Sequence, residues 1–438
     1  MKAALPRFCA LIIFSLSIFI SAPASATPIG ADKVIRDWYH LVLELVRHTP
    51  TYSPPVASRA FAYLGVAGYE ALASGDSTMV SLSGQLNGLS PVPSRVAGES
   101  YDEAIVVNAA LGSATRALFA NTGPTGQRAL KRFGEKMAAS LDEGLAPELV
   151  ARSTAYGESV TAHILAWSEG DGGAKIENMG FPLEYKLTEG PEHWVPTNLI
   201  NQQQMPLLPK WGENRPFAMK TGNGCPLPPP PAYSEEKGSS FYREALEVYE
   251  AVKGLTPEQR AIARFWSDDP MLSPTPPGHW MVIALQQLDE RKASASDHAD
   301  LLARLGVTLA DAFIGCWHSK FEFDLVRPVT YIKRVIDPKW EPLLITPPFP
   351  EYPSGHSTQS GAAATVLTAF FGENYAFTDS THEKDKLPNR PFRSFWDAAD
   401  EAGISRLYGG IHFRAAIERG LDQGRCVGAY AVALKTRR

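Results

Sequence analysis

Three short segments in the last third of the chain carry residues able to bind and process a tetrahedral oxyanion. The first is Lys320-Phe-Glu-Phe-Asp-Leu-Val-Arg327-Pro328. Lys320 and Arg327 lie seven positions apart, two helical turns and about 10.5 Å along an axis, so on one helix face both cations can bend toward a single anion. Pro328 disfavours helix at Arg327 and tends to end the helix there. The second segment is Pro347-Pro-Phe-Pro-Glu-Tyr-Pro353-Ser354-Gly355-His356-Ser357. Its prolines fix φ and stiffen the approach. Ser354-Gly355 then opens a helix that runs from His356 into a series of small residues. The free N–H groups of a helix N-terminus favour an anion, Gly355 lets backbone approach closely, and His356 can exchange a proton near neutral pH. The third segment is Ser405-Arg406-Leu-Tyr-Gly409-Gly410-Ile411-His412. Arg406 and His412 do not share a helical face, but a break at Gly409-Gly410 lets their side chains converge.

Each segment alone has a plain structural explanation: a solvated basic face, a helix capped by Ser354, an interhelical turn. Together they supply three cations, two imidazoles, a hydroxyl and a helix N-terminus. A dianionic or trianionic oxyanion needs that neutralisation, and arginine meets it bidentately.

The combination K-x6-RP, PSGH and SR-x5-H resembles the superfamily shared by vanadium-dependent haloperoxidases and type-2 phosphatidic acid phosphatases. The resemblance covers roughly residues 317–420. It implies a helical fold and an oxyanion held by Lys320, Arg327, Arg406, Ser354 and the Gly355 N–H. His412 would bond to vanadium in a haloperoxidase or attack phosphorus in a phosphatase, and His356 would be the acid–base group. Vanadate is the implied cofactor, and phosphate can occupy the same site. Phe349 and Trp317 are candidates for a halide-side wall, although plain core packing explains them as well.

Three features favour the haloperoxidase branch: the whole approach PPFPEYPSGHS, the long helical stretch ahead of the site, and the lack of spanning segments. That branch oxidises halide with hydrogen peroxide to hypohalous acid. The alternative is an exported acid phosphatase that hydrolyses phosphomonoesters through a phospho-histidine. Many relatives place an Asp four residues after the last His, where this chain has Ala416. In the phosphatases that Asp orients the histidine nucleophile, so Ala416 counts against efficient phosphoryl transfer. Glu418 and Asp422 are the nearby substitutes.

The surrounding elements read as helices. Apolar residues recur at helical spacing from Val34 to Leu45 and in runs near 56–73, 101–120, 125–142 and 147–168. Further runs fall at 239–253, 257–267, 279–292, 298–318, 357–371, 392–408 and 414–435. The expected fold is all-α, with two packed helical bundles and the oxyanion site in the C-terminal one. The expected units are a signal peptide at 1–26, an N-terminal helical region at 27–173, a Pro-rich connection at 174–235, and the site-bearing domain at 236–438. The connection has no periodicity and is either a surface wrap or a domain boundary.

Residues 1–26 carry Lys2 and Arg7, an apolar run and Ala24-Ser25-Ala26, the pattern of a cleaved secretory signal. The expected product starts at Thr27, is secreted or periplasmic, and has no stable membrane insertion. Cleavage takes the formal net charge from −5 to −7 by removing two cations, and this balance does not suit a nucleic-acid partner. Cys225, Cys316 and Cys426 remain, and one disulfide among them is open to any pairing. Asp268-Asp269 reads as a solvated pair at a helix end, with an anchor for Arg406 as the alternative, and His279 as a helix-start or packed histidine. His193, His318 and His382 have no supporting context.

Overall fold

The computed structural model describes residues 29–176, 180–197 and 205–438. The expected export signal lies outside the described residues. Among the described residues there are fourteen α-helices. The first six are α1 (Ala31–Arg47), α2 (Pro54–Ala73), α3 (Glu103–Leu118), α4 (Pro124–Asp142), α5 (Pro147–Glu169) and the short α6 (Gly173–Ile176). Then come α7 (Ser240–Lys253), α8 (Pro257–Phe265), α9 (Thr275–Glu290), α10 (Ala295–Phe323) and α11 (Pro328–Val335). The last three are α12 (Gly355–Phe371), α13 (Phe395–Tyr408) and α14 (Arg414–Val432). The fold is all-α apart from one antiparallel hairpin, β1 (Phe377–Asp379) with β2 (Arg390–Phe392), which takes the start of the run expected to be helical from 392.

Local signals explain most helix starts. Proline stands in the first turn of α2, α4, α5, α8, α9 and α11, where its missing N–H costs nothing. Side-chain oxygens of Asp102, Ser239, Thr256, Ser294, Ser354 and Ser394 cap α3, α7, α8, α10, α12 and α13.

Helix α10 is the central post. It packs on α2 on one side and on α12 and α14 on the other. The contact with α2 is backbone to backbone: a Cβ on Gly65 would stand 2.9 Å from the Leu302 carbonyl, and one on Gly306 would stand 2.7 Å from that of Phe61. One apolar core therefore runs without a break from Val34 in α1 to Leu434 after α14. A second cluster, with Phe241, Tyr331, Tyr352, Phe413 and Ala416, lies under the loop that precedes α12.

The described residues of the Pro-rich connection form little regular structure but are firmly seated. Trp194, Leu207, Leu208, Trp211, Phe217 and Met219 are buried. The buried Asp311 of α10 accepts the N–H groups of Phe217, Ala218 and Met219 at 2.6, 2.8 and 2.7 Å. Cys225 is joined to Cys426 of α14, and Cys316 is left free and buried. The bridge closes a loop of 201 residues. A Cys225→Ser/Cys426→Ser variant is expected to lose about 2–5 kcal/mol of stability, read as a lower denaturant midpoint, with α10 and α12 still packed. No helix among the described residues is long and apolar enough to cross a membrane.

Candidate functional site

Pro347–Pro353 forms a loop with few N–H groups, so its carbonyls need outside donors. Two buried cations supply them. Lys320 Nζ donates to the carbonyls of Pro350, Glu351 and Pro353 at 2.9, 3.0 and 2.5 Å. Arg327 Nε donates to that of Phe349 at 2.8 Å. The expectation that Lys320 and Arg327 share one helix does not hold. Helix α10 ends at Phe323, Asp324 turns left-handed at φ 47°, and Arg327 is extended at the head of α11. Pro328 disfavours helix at Arg327, so the two cations approach the loop from either side of a break between α10 and α11.

All three Lys320 donors are taken. The ammonium holds the loop beside the cleft where the oxyanion is expected. Burial pushes it down to about 7, with Arg327 adding to the shift, while the three carbonyls favour the charged form.

A cleft of about 200 Å³ opens above this loop. Trp317, Phe349, Gly355, His356, Arg406 and His412 line it, so the second and third segments meet there, and the first joins them through the contacts of Lys320 with Glu351 and of Arg327 with His412. Lys320, Arg327 and Ser354 are fully buried immediately behind. Trp317 and Phe349 pack together with ring centroids 4.9 Å apart, and Phe349 also lies 5.0 Å from the Arg327 guanidinium. The N-terminal half and the connection contribute Pro54 and Leu207 to the wall. The site is thus not confined to the C-terminal bundle.

Several buried polar atoms here have no partner among the described residues. Arg327 Nη2 and Arg406 Nε are donors without acceptors, whereas His356 Nε2 faces Asp268 Oδ2 at 3.5 Å. Arg406 is otherwise anchored by Nη1 to the Trp266 carbonyl at 2.6 Å. Arg327 Nη1 donates to the Ile411 carbonyl at 2.9 Å and lies 3.2 Å from His412 Nε2. Burial lowers both guanidinium groups to about 10, still charged at neutral pH. Burial, reinforced by Arg327, Lys320 and Arg406, holds His412 well below the usual imidazole range. Burial and Arg406 push His356 down to about 4. Without an anion, both imidazoles are neutral.

A family model for the second helical-bundle domain of VCPO matches residues 300–438. The vanadium chloroperoxidase of Curvularia inaequalis is 26% identical over 505 residues, which cover 89% of this chain and 81% of that protein. A holo-type bacterial vanadium-dependent chloroperoxidase structure is alike in fold, with a TM-score of 0.71 at 18% identity over 89% of this chain and 94% of its own. The crystal structure of the first bacterial vanadium-dependent iodoperoxidase aligns with a TM-score of 0.85 at 37% identity, over 94% of this chain and 99% of its own. The chain belongs to the vanadium-dependent haloperoxidases.

It is accordingly an enzyme with a vanadate cofactor, and the residues present fit that group. Buried, unpartnered guanidinium donors facing a neutral imidazole are costly without an anion to meet them.

Two features of this haloperoxidase were missed in the sequence. The first is Glu351. Its Oε1 accepts from His412 Nδ1 at 2.8 Å and from the Phe413 N–H at 2.9 Å. Neither Glu418 nor Asp422 takes this place. The only signal was an acidic residue inside an otherwise apolar, Pro-rich run. Burial pushes the Glu351 carboxyl up to about 8, against the pull of Arg327 and Lys320.

The second is a buried chain of charges behind His356. Asp268 is not a solvated residue: it is 4% exposed, with Oδ2 3.5 Å from His356 Nε2 and Oδ1 2.8 Å from His279 Nδ1. His279 is packed, as expected, but it is also ionic, since its Nε2 lies 2.8 Å from Asp379 Oδ2. Burial alone would lower His279, yet Asp268 and Asp379 raise it to about 10. His382 also faces this group, and ligand atoms of Asp268, His279 and His382 lie within 4.8 Å of one another. Both His279 nitrogens already meet carboxylates, so the cluster is an ion-pair chain.

Proposed function

We propose that His412 Nε2 binds vanadium and that Arg327, Arg406, the Ser354 hydroxyl and the Gly355 N–H hold the oxyanion oxygens. Lys320 supports them through the loop carbonyls. When bound, vanadate supplies a Lewis-acidic centre at which hydrogen peroxide becomes open to attack by halide, yielding hypohalous acid. The observation that carries this reading is the pair of unpartnered donors, Arg327 Nη2 and Arg406 Nε, beside His412.

In the reaction the chain's own groups bind, orient and move a proton. The guanidinium groups counter the oxyanion's charge from fixed positions, which avoids reorganisation cost. His356, neutral and at the cleft wall, accepts a proton from incoming peroxide and returns it to the departing oxygen, while Asp268 beside its Nε2 steadies the imidazolium. Trp317 and Phe349 form the apolar side along which halide sheds water. Iodide is the proposed halide, on the strength of the 37% identical iodoperoxidase.

A second reading gains from Glu351. With the Glu351 carboxyl accepting from Nδ1, His412 has the orienting partner a phosphorylated nucleophile needs, so Ala416 counts less against phosphomonoester hydrolysis by the vanadate-free protein. Export and cleavage before Thr27 are supported by the N-terminal pattern and by a disulfide, which suits an oxidising compartment.

A paired assay tests these readings. Vanadate is expected to switch on peroxide-dependent iodide oxidation and to suppress any hydrolysis of p-nitrophenyl phosphate. Activity confined to the vanadate-free protein and the ester would sink the peroxidase role of this site. Recovery of a product beginning at Thr27 from the periplasm or medium checks the export proposal.

A further inference from the structure

We infer that Glu351 is the positioning residue for His412, doing from the Pro-rich loop what relatives with an Asp four residues after the last histidine do from the following helix. The inference rests on the reading of His412 as the vanadium ligand.

The tautomer of His412 follows from its neighbours. Arginine has donors only, so Arg327 Nη1 at 3.2 Å from Nε2 requires a lone pair there. The ring proton therefore sits on Nδ1 and points to Glu351 Oε1 at 2.8 Å. That oxygen also accepts the Phe413 N–H at 2.9 Å. With both donors on Oε1, a proton on Glu351 would reside on Oε2, and Oε1 would still accept. The Nε2 lone pair is thus aimed into the cleft whatever the charge of Glu351. A histidine ligand needs this arrangement: the far nitrogen's hydrogen bond selects the tautomer and holds the ring plane.

Glu351 is itself held on both sides. Its N–H donates to the Leu325 carbonyl at 3.0 Å, and its carbonyl accepts from Lys320 at 3.0 Å. Position 416 is filled by a buried Ala whose carbonyl takes the Ser354 N–H at 3.0 Å. The first turn of α14 and the start of α12 therefore meet here through a backbone hydrogen bond with no carboxylate at position 416, and the carboxylate arrives from the Pro-rich loop.

The test uses the full-length protein and its apo form. Vanadate affinity is measured by equilibrium dialysis with metal analysis for the native protein, Glu351→Ala, Glu351→Ala/Ala416→Asp and His412→Ala. Glu351→Ala is expected to weaken vanadate binding by about 10–100-fold, the usual effect of losing such a partner. The double variant is expected to recover most of that loss, which a merely structural role for Glu351 does not predict. Binding within about threefold of native in Glu351→Ala, or a loss in folded variants that Ala416→Asp leaves untouched, overturns the inference. If His412→Ala binds vanadate like the native protein, the ligand reading itself fails. Loss in His412→Ala with none in Glu351→Ala removes only Glu351. Should Glu351→Ala not fold, ¹⁵N-histidine NMR of the native protein decides. A strongly downfield Nδ1 proton, assigned by its loss in His412→Ala, is expected, and a proton on Nε2 instead overturns the inference.

Discussion

Replacing His356 with alanine is expected to lower kcat/KM for peroxide by roughly 10²–10⁴-fold, the usual contribution of a positioned acid–base group. Vanadate binding should fall far less, because the guanidinium groups and His412 remain. Steady-state kinetics at saturating vanadate, together with dialysis, separate the two effects. A parallel loss of vanadate would instead make His356 a binding residue. The pH profile carries further information. With the empty site holding His356 down at about 4, its neutral form persists through the weakly acidic range, and the base is lost only as pH falls toward that value. A bound oxyanion adds negative charge beside the ring, favours the imidazolium and moves the limb upward. The acid limb of the vanadate-loaded enzyme should therefore lie at higher pH than the ring titration of the apo protein.

Replacing His279 with alanine is expected to destabilise the fold by about 3–5 kcal/mol, measured as a shift of the denaturant midpoint. The reason is the company it leaves: Asp268 is 4% exposed and Asp379 is fully buried, and each would keep a charge with its main partner gone. The same ion-pair chain sets a pH window. His279 is raised to about 10 in the fold. Its contribution is complete below its unfolded value of about 6.5 and fades as pH climbs toward 10. Burial disfavours the Asp268 and Asp379 carboxylates, but His279 outweighs it and holds both below their ordinary value. Their contribution is present above about pH 4 and fades on acidification. Stability should therefore be greatest between roughly pH 4 and 6.5 and decline on the alkaline side, and the alkaline decline should vanish in the His279→Ala variant. An unchanged alkaline slope would place its origin elsewhere.

How much of this site was legible in advance differed by residue. The spacing of Lys320, Arg327, Ser354, Gly355, His356, Arg406 and His412 pointed to an oxyanion, and Gly355, His356, Arg406 and His412 line one cleft with the other three buried. Helix starts at Pro54, Ser354 and Arg414 were also readable, because prolines, N-caps and glycine breaks act within a few residues of themselves. The break before Arg327 was half readable: Pro328 announced it, but the left-handed turn at Asp324 set its place.

What the tertiary structure alone decided is who partners whom. Lys320 looked like an anion ligand, yet the proline loop thirty residues on takes all its donors. Asp268 looked solvated, but His279 and His356 face its two oxygens. Glu351 reaches His412 across 61 positions, and His279 reaches Asp379 across 100. Hydrogen bonds of this kind have no period and no fixed spacing. They exist because burial removes water from polar groups and leaves only what the packed chain brings near. Sequence by itself determined the anion chemistry, which needs particular residue types. The fold assigned the order of the shell around it, which depends on distance.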